Sequence, residues 1–214
     1  MSRPDSSAPA SVCFDLEDRP ASSFLWLLLA GVGVEVEAGF TVGDLLRRLS
    51  GLPADEAASL AATVVVDGHP VDDIEGCSVG DGSRIALSGP LPGLAGACLR
   101  RNGVLAPLRR SLGPPPPRPH ATGVATVCLF NLVAPRLGPQ LLAGGVLVKG
   151  DTLAAFLASR AAGFWRNVRA VRVDDHQVDP SGAAAVSREL PAGAVRLVVR
   201  CAERPIRPGR EEAG

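Results

Sequence analysis

Hydrophobic and polar positions change their period along the chain in a fixed order. From Val12 to Leu16 apolar and polar side chains alternate, as on a strand with one buried face. Alternation returns from Val32 to Val36, where Gly33 and Glu35 separate three valines. The period then lengthens: Val42, Leu45, Leu46 and Leu49 fall at i, i+3, i+4 and i+7 and predict one helical face. Thr41 and Asp44 precede that face with the spacing of a capping box, in which each side chain satisfies the other residue's backbone N–H. Gly51 and Pro53 end the helix. Thr63 to Val66 is a β-branched strand candidate, and Asp67-Gly68 predicts a tight turn because both residues tolerate positive φ. Ile85 and Leu87 predict a closing strand. The apolar run Phe24 to Leu29 fits a short helix or strand packed inside, or an interaction patch if exposed.

This pattern is written twice. Ser11-Val-Cys-Phe-Asp-Leu16 recurs as Thr126-Val-Cys-Leu-Phe-Asn-Leu132, and Thr41-Val-Gly-Asp-Leu-Leu46 as Thr152-Leu-Ala-Ala-Phe-Leu157. Val64-Val-Val-Asp-Gly-His69 recurs as Val171-Arg-Val-Asp-Asp-His176, and Gly82-Ser-Arg-Ile-Ala-Leu87 loosely as Ala194-Val-Arg-Leu-Val-Val199. The order is kept and the offset drifts only as loop insertions would make it drift. In the second copy Val146 to Val148 predicts a strand, and Thr152 a cap for a helix carrying Leu153, Phe156 and Leu157. Val171 and Val173 alternate, Asp174-Asp175 turns, and Val195 to Val199 closes. Each copy therefore reads strand, strand, helix, strand, short strand, strand. The expected fold is α+β: two tandem β-grasp (ubiquitin-like) domains, each a mixed sheet with one main helix, spanning residues 11–100 and 124–202. A proline-rich linker, 101–123, joins them, and residues 1–10 and 203–214 are expected to be disordered. Pro114 to Pro117 cannot continue a helix or a central strand and favour an extended spacer, with a ligand for an SH3-type domain as the alternative.

Three segments of the first copy carry a family resemblance. Thr41-Val-Gly-Asp-Leu-Leu-Arg-Arg-Leu49, Val64-Val-Val-Asp-Gly-His-Pro-Val71 and Val79-Gly-Asp-Gly-Ser-Arg-Ile-Ala-Leu-Ser-Gly-Pro-Leu-Pro-Gly93 stand in the order of a TV-x-DLL helix start, a V-x-VNG hairpin and a GDEVALLPPVSGG ending. In this the chain resembles the MoaD/ThiS group of ubiquitin-like proteins over residues 11–96, and more faintly over 124–201. The resemblance implies a terminal Gly-Gly carboxylate that a partner enzyme adenylates and that then becomes a sulfur-donating thiocarboxylate. This sequence departs at that point: it runs on past Gly93 and Gly96, and it closes with Arg210-Glu-Glu-Ala-Gly214. The leading expectation is therefore a non-catalytic ubiquitin-like binding or adaptor protein. The alternative is a sulfur-carrier-type protein that requires cleavage near Gly96 and adenylation by a partner.

Composition narrows these readings. Lys and Arg together number 22 and so do Asp and Glu, so no overall positive field points to nucleic acid. No apolar run is long enough to span a bilayer, the start is polar, and the five cysteines form no CxxC pair, which together suggest a cytoplasmic chain with reduced thiols. No catalytic set, metal-ligand cluster or cofactor motif stands out, so neither an enzyme nor a bound cofactor is expected. The partner is expected to be a protein, with an adenylyltransferase-type enzyme as one candidate.

The most distinctive stretch is Gly89 to Gly103, which the second copy lacks. Its candidate interaction residues are Pro92, Gly93, Gly96, Cys98, Arg100 and Arg101. They read either as a mobile tail remnant or binding loop, with the arginines facing an anion, or as a turn entering the linker. Arg100-Arg101 and Arg109-Arg110 together suit phosphates, but no aromatic residue lies between them for base stacking. Cys13 and Cys128 occupy matching strand positions, as redox partners or as small apolar fillers. His69 and His176 each follow a turn, Asp72 and Asp73 are adjacent with no assignable third group, and Trp26 and Trp165 suit core or interface anchors.

Overall fold

The alternating segments become strands whose buried rows are the apolar ones. In β1 (Ala10–Leu16), Val12, Phe14 and Leu16 are buried. In β2 (Val32–Val36) the three valines are buried and Glu35 is exposed. The computed structural model describes residues 9–17, 20–113, 115, 122–174 and 176–201. Both expected disordered ends, apart from Pro9–Ala10, most of the polyproline tract, His120 and Asp175 lie outside those residues.

Helix α2 (Val42–Ser50) follows from its boundary chemistry. Thr41 Oγ1 accepts from the Asp44 N–H at 3.0 Å, and Asp44 Oδ2 accepts from the Thr41 N–H at 2.9 Å, closing the capping box. Gly51 ends the helix at φ 66°, a left-handed conformation that costs a residue without Cβ little. Val42, Leu45, Leu46 and Leu49 face the core, each contributing about 1.5–3 kcal/mol by burial. After α3 (Ala54–Leu60), β3 (Thr63–Val66) and β4 (His69–Pro70) form a hairpin whose turn residues Asp67 and Gly68 both have positive φ. Strand β5 (Arg84–Ser88) closes the first half. Then come α4 (Gly93–Leu99) and a 3₁₀ helix over Ala106–Leu112, inside the segment expected to be linker.

The second half runs β6 (Gly123–Phe130), α5 (Val133–Ala143), β7 (Val146–Lys149), α6 (Gly150–Ala158), α7 (Ala162–Arg166), β8 (Val168–Val173), β9 (His176–Val178), α8 (Ala183–Glu189) and β10 (Ala194–Cys201). Among the described residues, no helix is long and apolar enough to cross a membrane.

Two local expectations need correction. Each half begins strand, helix, strand rather than with two successive strands, because α1 (Pro20–Ala30) and α5 separate them. Helix α5 contains Pro135 and Pro139 four residues apart, so the N–H that would reach the Pro135 carbonyl is missing. Burial of Val133, Ala134, Leu137, Leu141 and Leu142 holds the helix despite that loss. The second correction concerns Thr152. Helix α6 begins at Gly150 with no side-chain cap, so Thr152 lies within its first turn. The Gly150 N–H instead donates to Gly193 O at 2.9 Å.

The α+β class holds, but the strands do not stay within their own half. One ten-stranded sheet runs β4-β3-β5-β6-β2-β7-β10-β1-β8-β9. Strand β6, which opens the second copy, lies parallel to β5 of the first, with Cys128 opposite Ala86. Strand β1, which opens the first copy, lies parallel to β10 of the second, with Cys13 opposite Val198. The first strand of each half thus pairs with the last strand of the other half. The seam between the two five-stranded blocks is the β2–β7 pairing, with Gly33 opposite Leu147.

Helices α1 and α5 pack on each other over the middle of the sheet. A single buried cluster extends from Phe14 and Phe24 through Leu129 to Leu197 and Val199. Aromatic contacts tie β1 in place. Phe24 of α1 lies 5.7 Å from Phe14 of β1, 5.1 Å from Phe156 of α6 and 5.7 Å from Phe164 of α7. Such pairs add about 0.5–1.5 kcal/mol each beyond the area they bury. Across the strands, Arg172 pairs with Asp15 at 3.2 Å and Arg196 with Glu35 at 2.5 Å.

Candidate functional site

The stretch singled out in sequence forms a structured insertion between β5 and β6. Pro90 and Pro92 cannot extend the β5 ladder through an N–H, and the chain leaves the sheet there. Pro92 takes an extended conformation as N-cap of α4, and Arg100 caps its C-terminus through an N–H to Gly96 O at 3.0 Å. Gly96 is buried in the middle of this helix. A Cβ there would meet Leu91 O at 2.2 Å, so glycine is required by close packing against the Leu91 backbone.

Arginines fasten the insertion to the first half. The Arg101 N–H donates to Ala62 O at 2.8 Å, and Arg101 Nη2 to Ala58 O at 3.1 Å. Burial lowers the pKa of this guanidinium, while the charges of Asp72 and Glu75 oppose that shift. Asp72 Oδ1 accepts from the Asn102 N–H at 2.7 Å and from Arg109 Nη2. Burial alone would raise the Asp72 pKa. Arg109, the Asn102 N–H and Arg101 outweigh it and hold the carboxyl below its usual range. Arg109 is only 8% exposed, and its Nη1 is buried without a partner.

The insertion leaves apolar side chains in solvent. Leu94 is 71% exposed, Val104 94% and Leu108 68%. Val104 also lines a cavity of about 520 Å³ whose wall includes Leu91, Ala97, Leu105, Arg100 and Arg101. Of the six candidate residues, Gly96, Arg100 and Arg101 come together at this cavity, while Pro92, Gly93 and Cys98 lie outside its lining. Arg100 is exposed. Arg109 is not available to a phosphate as the sequence pairing with Arg110 suggested, because it is folded inward onto Asp72. Asp72 and Arg109 form a pair that sequence reasoning did not join: each was noticed, but nothing local links residues 72 and 109.

The other candidates are dispersed. All five cysteines are free thiols. Cys13 is half-buried beside Arg172 Nη2 at 3.5 Å, whereas Cys128 is buried, and burial pushes its thiol pKa up. Three strands separate β1 from β6, so the two thiols do not meet. His69 and His176 lie on the two opposite edge strands. Trp26 is 53% exposed and stacks on Phe156, and Trp165 packs edge-on against Phe164. Among the described residues, no group of three His, Cys, Asp or Glu side chains could hold a metal ion. Compared with known proteins, the chain matches no family model, no curated protein and no solved structure.

Proposed function

We propose that the protein is a non-catalytic binding or adaptor protein whose two halves derive from one ubiquitin-like, β-grasp plan, and that it engages a protein partner through the insertion between β5 and β6. The carrying observation is the exposure of Leu94, Val104 and Leu108 on one short segment. Exposed apolar side chains clustered in this way mark interaction surfaces far more than scattered ones do. Arg100 is exposed on this segment and residues 89–113 hold no carboxylate, so the partner surface is apolar with an acidic group to meet Arg100. The common plan is supported by the repeated element order and by parallel first-strand/last-strand pairs, β6 with β5 and β1 with β10.

The sulfur-carrier alternative finds less support. Cleavage near Gly96 would have to open a helix in which that glycine is buried against Leu91, and the segment is anchored through Arg101 and Asn102. The test is a photo-crosslinking residue at Val104, with Val124, at the end of β6 far from the Ser88–Phe130 register that leads into the insertion, as control. The proposal expects a protein adduct at position 104 alone, lost in the Leu94→Asp/Leu108→Asp variant. Equal labelling at both positions, or none at 104, would contradict it.

A further inference from the structure

A second cleft, of about 670 Å³, lies on the far side of β1. It exists because β1 crosses into the second half. Glu17, just beyond β1, donates its N–H to Asn167 O at 3.0 Å, which places the end of β1 beside the C-terminus of α7. Ser23 comes from α1, Ser159 and Arg160 from the link after α6, and Phe164 and Arg166 from α7. Neither half alone supplies the complete wall.

The chemistry of that wall is specific. The Arg160 guanidinium lies 4.4 Å from the Phe156 ring centroid, a cation–π contact that fixes its plane. Its Nη2 donates to Ser159 Oγ at 2.9 Å, while its Nε is buried with no partner. Arg166 is exposed at the same cleft. Among the described residues neither arginine has a carboxylate partner, in contrast with Arg47, Arg109, Arg172 and Arg196. Among the described lining residues Glu17 is the one carboxylate, outnumbered by the two guanidiniums. Ser23 adds a hydroxyl to the wall, the Ser159 hydroxyl being spent on Phe156 O at 2.7 Å, and Phe164 supplies an aromatic wall. A planar arginine fork held by stacking is preorganised to bind a planar or tetrahedral oxyanion.

We infer that this cleft binds a small molecule carrying a phosphate or carboxylate on an apolar or aromatic body, with Arg160 and Arg166 on the oxyanion and Phe164 against the body. This site is separate from the insertion between β5 and β6 and does not rest on the adaptor reading.

The chain carries its own reporters. Its only two tryptophans are Trp26, stacked on the Phe156 ring that Arg160 covers, and Trp165, packed on Phe164. Their two indole N–H signals should be followed by NMR while the full chain is titrated with phenyl phosphate, benzoate or phenol. The inference expects saturable shifts with phenyl phosphate or benzoate, the stronger of the two identifying the oxyanion, and no matching shift with phenol. Affinity should fall about tenfold or more in Arg160→Gln and in Arg166→Gln, since each removes a charge-assisted hydrogen bond. It should stay unchanged in Arg100→Gln, at the other cavity. Arg166 is exposed, so its variant keeps the test valid if Arg160→Gln disturbs packing. Absence of saturation, equal shifts with phenol, or unaltered affinity in Arg166→Gln would overturn the inference.

Discussion

The two halves follow one element order, apart from the added α8, but spend their polar groups differently. In the first half, polar groups go largely into folding. Thr41 and Asp44 close a capping box on α2, and Asp72 gathers Arg109 and the Asn102 N–H to hold the insertion down. In the second half, α6 begins without a side-chain cap, and Arg160 and Arg166 have no carboxylate partner among the described residues. The order of elements is shared, while the local residues decide which charges stabilise the fold and which remain open to a ligand. A buried, paired arginine is a structural fastener, and the same residue without an acid is a recognition group.

The comparison breaks most visibly at Asp72. Asp72→Ala leaves Arg109 buried without its carboxylate and should cost about 3 kcal/mol, measured by urea unfolding. The Asp72→Ala/Arg109→Met double variant should recover part of that loss, and a double-mutant cycle without coupling would remove the fastener role. The same pair predicts an acid sensitivity. The folded-state pKa of Asp72 lies below its unfolded value, so its contribution is present above the ordinary carboxylate pKa and is lost as pH falls through the lower, folded one. Asp72→Asn should flatten that part of the stability–pH curve.

Next in size is Gly96→Ala. The added methyl would press on the Leu91 carbonyl and should cost about 2 kcal/mol, with loss of amide protection across α4 in hydrogen exchange. A neutral result would show that α4 is not packed as described. The smallest effect sharpens the contrast between the halves. Thr41→Ala should cost about 1 kcal/mol through the lost cap. The repeat-equivalent Thr152→Ala should stay within about 0.5 kcal/mol. Equal losses at the two threonines would mean that the helices begin alike.

What was legible in the sequence was what short-range chemistry dictates. Thr41 with Asp44, Asp67-Gly68, and the alternating apolar rows of β1 and β2 each contain their own instructions. Helix α1 was ambiguous because its run is apolar on nearly every side: Phe24, Leu27 and Leu28 are buried, yet Leu25 and Trp26 are exposed. Helix α5 was hidden by prolines that tertiary burial overrides. The cross-pairing of first and last strands left no local mark, because β1 and β6 carry nearly the same pattern and either would bury its apolar row beside β5 or β10. The insertion was recognisable as distinctive, but its Asp72–Arg109 fastener joins residues too far apart for any periodicity to reveal.

That cross-pairing is the central claim, and the two repeat-equivalent cysteines test it directly. Cys13 lies opposite Val198 and Cys128 opposite Ala86, at the spacing of adjacent strands, within disulfide reach. The decisive measurement is peptide mapping of the oxidised Val198→Cys variant. The account predicts a disulfide between positions 198 and 13. A disulfide between positions 198 and 128 would mean that each half keeps its own first strand, and would contradict the account.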